Sequence, residues 1–122
     1  MQGAETVISP TVNSKKLLEK EGYAVGITEK WNPHVKIRQD LFNFVDLLAI
    51  HESLGAVGIQ TTTQAHISER IKKAINCEHF KTWLKAGLKV EFHGWHKKKN
   101  RWEVDRREAH LIDDKVNVSR IP

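Results

Sequence analysis

Asp40–Thr63, DLFNFVDLLAIHESLGAVGIQTTT, places two apolar runs, Phe42–Ile50 and Ala56–Thr63, on either side of a polar loop, His51–Gly55. That is the layout of a β-hairpin with a five-residue connection containing Ser and Gly. With the loop centred on Ser53, antiparallel register sets Asp46 opposite Gln60, each seven residues from the centre. Opposed residues share a face, with Cβ atoms about 4.5–5.5 Å apart. Thr62, two residues further on, falls on the same face. Along the first run, Phe44, Leu48 and Ile50 accompany Asp46, while Val45, Leu47 and Ala49 line the opposite side. A strand apolar on both sides is expected to be a central strand, covered on each face. An unpaired ionised carboxylate there is costly, so Asp46 requires a cation, either a protein side chain or a metal ion. Two readings stand at this point: an Asp at a strand end paired with a nearby Arg, and a functional site.

Outward from the hairpin, composition bounds the answer. The chain has 122 residues, 39% hydrophobic and 29% charged, which describes one globular domain with a core of its own. No apolar run approaches the roughly 20 residues that span a bilayer, and MQGAETVISP has neither a basic leader nor a long apolar stretch. Cys77 is the single cysteine, which excludes an internal disulfide framework and implies an intracellular setting. The net charge of +5 favours polyanionic partners such as nucleic acid.

Ser9-Pro10 reads as an N-cap followed by proline at the first helical position, opening a helix over Thr11–Glu21 that stops at Gly22. Tyr23–Glu29 reads as a strand and Trp31–Gln39 as a basic connection carrying His34, Lys36 and Arg38, with Lys30 just before it. After the hairpin, Ile67, Ile71 and Ile75 form one stripe of a helix over Gln64–Asn76. Thr61 and Gln64 have capping-box spacing at its start. A second helix over His79–Ala86 ends at Gly87, and strands follow around Leu88–Phe92 and Trp102–Val104. The turn between them, HKKKNR, is strongly basic. The tail VNVSRI suits an edge strand or an oligomer contact, and residues 1–8 and 109–122 are expected to be peripheral. The predicted architecture is a single α/β domain, a central mixed β-sheet flanked by helices in the order αβββααββ. The step from the Gln60 strand to the Leu88 strand would be a parallel crossover.

Helix–Gly–strand, then V-D-L-L-A-I, a short loop, G-I-Q-T-T-T and a basic helix resembles the PD-(D/E)XK nuclease core. It is most similar to archaeal-type Holliday-junction resolvases and their small phage relatives, over about Leu17 to Val104. The resemblance implies a restriction-endonuclease-like fold and metal-dependent cleavage of branched DNA by a homodimer. It places the first acidic residue at Asp46 and the E-x-K signature at Gln60-Thr61-Thr62. Asp46, the Gln60 amide oxygen and the Thr61 carbonyl would then hold Mg²⁺ or Mn²⁺, with Asp46, Gln60 and Thr62 as catalytic positions. The chain departs from the pattern: Gln60 replaces Glu, Thr62 replaces Lys, and the first-helix acidic residue falls near Thr11. Asp40 or Glu29 are available as carboxylates, and Lys36, Arg38, Arg70 or Lys73 as cations. The alternative is a DNA-binding protein of the same fold with altered catalysis. A third reading is an interaction protein whose basic faces serve a protein partner.

Lys36, Arg38, Arg70 and Lys73, with Lys97, Lys98, Lys99 and Arg101, are the expected DNA contacts. His93-x-x-His96 with Cys77-x-His79 has zinc-like spacing, but residues three apart on a strand face opposite sides. The four tryptophans, Trp31, Trp83, Trp95 and Trp102, are expected to be core or interface anchors rather than base-stacking platforms.

Overall fold

The hairpin closes with the expected register. In the computed structural model, which describes residues 9–122, Leu47 pairs with Ile59 and His51 with Gly55. One step beyond the ladder, the Asp46 amide donates to the Ile59 carbonyl at 2.9 Å. The expected leader, residues 1–8, lies outside the described residues.

Upstream of the hairpin are α1 (Pro10–Lys20), β1 (Ala24–Ile27), β2 (Lys30–Asn32) and β3 (Ile37–Gln39). The hairpin itself is β4 (Leu47–His51) and β5 (Gly55–Thr63). A 3₁₀ turn (Gln64–His66), α2 (Ile67–Ile75) and α3 (Phe80–Lys85) lead to β6 (Lys89–Lys98), β7 (Arg101–Ile112) and β8 (Lys115–Arg120). Six strands form one mixed sheet in the order β1-β4-β5-β6-β7-β8. Only β5 and β6 run parallel, the step the sequence pattern suggested.

Each face of the sheet has its own core. Leu18 of α1 closes over Leu47, Ala49, Val57 and Ile59 on one side. On the other, Ile67, Ile71 and Ala74 of α2 and Phe80 and Trp83 of α3 pack with Phe44, Val45, Val90, Phe92 and Ala109. Burying a side chain of this size stabilises by about 1.5–3 kcal/mol, so both helical layers are held by apolar area rather than by propensity. Ser9 caps α1 as expected, its Oγ accepting from Val12 N at 3.2 Å. Gly22 supplies the left-handed residue (φ +97°) that turns the chain into β1.

Four expectations need correction. Phe42–Asp46 is not strand. Phe42 and Asn43 both adopt positive φ (54° and 68°), which breaks the pleat and closes a tight loop between Leu41 and Val45. Phe44 and Val45 therefore enter the same core instead of facing apart. Trp31–Gln39 is not a simple connection but a separate two-stranded ribbon, β2 paired with β3, because Asn32-Pro33 starts a turn between two short strands. Thr61 and Gln64 form no capping box: Thr63 is the N-cap residue of the 3₁₀ turn and makes no side-chain cap. The tail takes the edge-strand reading rather than the peripheral one: β7 runs on to Ile112, β8 ends the sheet, and Val116 and Val118 pack on the core. The element order is thus one helix, five strands, two helices and three strands. Among the described residues no helix is long and apolar enough to cross a membrane.

Candidate metal centre

Three segments of chain converge at the start of β4. The Leu41–Val45 loop folds Asp40 back beside Asp46. Beyond β1, the amides of Thr28 and Glu29 both donate to the Asp46 carbonyl, at 2.9 and 3.3 Å. The Thr28 hydroxyl donates to the Val45 carbonyl at 2.8 Å. Together these contacts bring one carboxylate oxygen from each of Glu29, Asp40 and Asp46 within 4.8 Å of the others.

The residues of β5 orient this cluster. Asp46 Oδ2 accepts from the Thr61 amide at 2.8 Å and from the Thr61 hydroxyl at 3.3 Å. The Thr61 hydroxyl also lies 2.9 Å from that of Thr11 in α1, the position where the family resemblance puts an acidic residue. Gln60 does not bond Asp46 directly. Its Nε2 donates to Asp40 Oδ2 at 3.2 Å, so Asp40 stands between them. Turning that amide over would exchange donor for oxygen at the same spot. Thr61 presents its amide and hydroxyl to the cluster.

The charge balance is the informative part. Among the described residues no Lys or Arg forms an ion pair with Asp40 or Asp46, and the cluster's one such pair is Arg38 to Glu29 at 3.5 Å. The strand-end reading, an Asp locked to an Arg, therefore does not apply. Asp46 is 3% exposed. Burial, helped by a hydrogen bond to the Asp40 carboxyl and opposed by the Thr61 amide, pushes its pKa up to about 8. At neutral pH the raised pKa leaves Asp46 largely protonated. Three hard oxygen donors suit Mg²⁺, Mn²⁺ or Ca²⁺ rather than zinc, so the residues present fit a divalent ion.

A measurable consequence follows from competition between proton and ion. Divalent affinity should rise about tenfold per pH unit while one proton is displaced, then level off above about pH 8. Calorimetric titration with Mn²⁺ at several pH values checks this; a flat profile between pH 6 and 8 would show that Asp46 takes no part.

Around the cluster lies a cleft of about 300 Å³, lined also by Thr62, Thr63, His66 and Arg70. Of the four cations named as lysine substitutes, Arg70 lines the cleft and Arg38 reaches it through Glu29. Lys36 sits in the ribbon turn and Lys73 on α2, neither of them lining the cleft. Lys97 and Lys98 end β6 and Arg101 begins β7, on either side of the two-residue turn Lys99-Asn100, both at positive φ. His66, four residues before Arg70, was not singled out in the sequence; the i, i+4 spacing on a helical turn was the available signal.

A second polar assembly lies under α1. Trp95 Nε1 donates to Ser14 Oγ at 2.8 Å, and Ser14 Oγ lies 2.7 Å from His93 Nδ1. His93 Nε2 lies 2.8 Å from Glu91 Oε1, which also accepts from Arg106. Glu91 is held below its ordinary pKa and, ionised, can only accept, so His93 donates to it from Nε2. Burial keeps the imidazole neutral, so Nδ1 accepts from the Ser14 hydroxyl, which in turn accepts from the Trp95 indole. Ser14 and His93 are both fully buried, so this triad-like chain ties α1 to β6 and faces no substrate. His96 instead faces Glu103 at 3.4 Å, and the zinc spacing gathers no site.

Comparison with protein-family models, with curated proteins and with solved structures gave no match.

Proposed function

We propose that this chain is a metal-dependent endonuclease of the PD-(D/E)XK type, acting on branched DNA, with Mg²⁺ or Mn²⁺ held by Asp46, Asp40 and Glu29. The observation that carries this reading is a buried carboxylate with no cationic partner, joined by two further carboxylates at the end of a parallel strand pair. A bound divalent ion supplies charge neutralisation of the phosphate and acidification of an attacking water. The chain's own groups do the rest. Thr61 fixes the rotamer of Asp46, and Gln60 fixes that of Asp40. Arg70 takes the role that lysine has in the resembled signature, offering positive charge to the developing phosphorane oxygens. Asp40 and Glu29 make up the negative charge that Gln60 lacks. Two copies would cut two strands of a junction.

The test is incubation of the protein with a labelled four-way junction and Mg²⁺ or Mn²⁺. Symmetric nicks that require the ion are the expected result. The second reading, junction binding without cutting, draws on Thr62 standing where a lysine is expected; it predicts salt-sensitive binding and intact junctions. Neither binding nor cutting would exclude both.

A further inference from the structure

Two tryptophans are buried and two are not: Trp83 and Trp95 are 7% exposed, Trp31 is 56% exposed and Trp102 is 39% exposed. The exposed pair are not core anchors, which leaves the interface half of the expectation open, and their placement is alike. Each lies on a β-ribbon directly across from a cation, Trp31 opposite Arg38 and Trp102 opposite Lys97. Both ribbons are rooted at the end of the sheet that carries the acidic cluster. The β2–β3 ribbon is bounded by Glu29 and Asp40, two members of that cluster. Opposed residues share a face, and Arg38 reaches Glu29 at 3.5 Å, so Trp31 lies on the cluster's side of its ribbon.

The β6–β7 ribbon outruns the sheet in the same direction. Thr63 ends β5 opposite Trp95, and Lys97 lies two residues further, about 7 Å on. Lys97 alternates with Trp95 and His93, which contact Ser14, so Lys97 and Trp102 sit on the α1 face. Pro10 and Thr11 at the start of α1 line the cleft from that face. Lys97 Nζ rests 5.7 Å from the centre of the Trp102 ring, which sets a cation beside a solvent-exposed π surface.

From this arrangement we infer that Trp31 and Trp102 are stacking platforms for unpaired bases, one on each side of the acidic cleft, so that the preferred substrate is nucleic acid with open base faces. A duplex interior offers phosphates to the lysines but no free base face. Single strands, flaps and branch points offer both. This inference rests on the nucleic-acid reading above and narrows it, since it assigns the preference for branched DNA to two side chains.

The experiment uses the full chain in EDTA, with oligo-dT, a blunt duplex of equal length and a four-way junction as probes. Oligo-dT should quench the intrinsic fluorescence. Trp31→Ala and Trp102→Ala should each weaken oligo-dT and junction binding at least ~5-fold while leaving duplex affinity and the salt slope unchanged. Both residues are solvent-facing, and an unchanged thermal midpoint confirms folding. Equal losses for duplex and oligo-dT, or no loss, overturn the inference. So does a shift from dimer to monomer on Trp31→Ala by sedimentation, which would make the ribbon a self-association surface. Cleavage dependent on Asp46 with no base preference through tryptophan sinks the inference and leaves the nuclease reading. Tryptophan-dependent preference in a protein that cuts nothing does the reverse.

Discussion

Asp46→Asn is expected to abolish junction cleavage, by at least ~10²–10³-fold, the scale on which loss of a preorganised charge-stabilising group is felt. It should do so without harming the fold. The asparagine oxygen can still accept from the Thr61 amide, and its NH₂ can donate to Asp40 where the native protein needs a shared proton. The pH dependence separates this outcome from trivial unfolding. In the native protein the folded pKa of Asp46 is raised to about 8 from 3.8. Its favourable contribution is therefore complete below the unfolded value and is lost as pH rises through about 8. Asp46→Asn does not titrate, so without divalent ions its thermal midpoint should overtake that of the native protein as pH climbs from 4 to 9. Adding Mn²⁺ should stabilise the native protein and leave the variant unmoved. A variant that still cuts, or that gains the same stability from Mn²⁺, would remove Asp46 from the site.

How much of this was legible in the chain depends on whether a feature is carried by local pattern or by a long-range meeting. The β4–β5 register could be read because a polar loop centred on Ser53 and a period of two leave one register that keeps apolar residues inside. That Asp46 and Gln60 sit at matching positions followed directly. The meeting of Glu29 and Asp40 with Asp46 did not. It depends on Phe42 and Asn43 taking positive φ, and the run FNFV looks like strand because Phe and Val have strand propensity. Asn43 was the sole hint, asparagine being the residue after glycine that best tolerates this conformation. The ribbon was hidden for a related reason. Its strands are three residues each, too short to show alternation, and only Asn32-Pro33 marked its turn. The Ser14–His93 contact joins residues 79 apart and has no local signature beyond polar Glu91 and His93 alternating with apolar Val90 and Phe92.

That buried chain gives the largest effect on stability. Arg106 donates to both Glu21 oxygens, at 2.6 and 3.1 Å, and to Glu91 Oε1 at 2.9 and 3.1 Å. Glu91 is 5% exposed. Burial alone would raise its pKa, but the hydrogen bonds from His93 and Arg106 and the Arg106 charge outweigh burial and hold it below the ordinary value. Arg106→Met strands that carboxylate against a neutral imidazole, at a cost of about 3–5 kcal/mol, or roughly 10–20 °C in thermal midpoint for a domain of this size. Adding Glu91→Gln to Arg106→Met should recover most of the loss, because no uncompensated charge remains. Acid supplies an independent check. The native Glu91 contributes stability that is present above the unfolded pKa and lost as pH falls through its lowered folded value. In Arg106→Met the same carboxyl can take up a proton at higher pH and escape its penalty. The gap between the two proteins should therefore narrow from pH 7 to pH 4. His93 is held below its ordinary pKa by burial and, more weakly, by the Arg106 charge, against the pull of Glu91; without Arg106 it takes up a proton more readily beside the Glu91 carboxylate, which narrows the gap in the same direction. A gap that stays constant across that range would mean that Arg106 stabilises through packing of its stem rather than through the charge it covers.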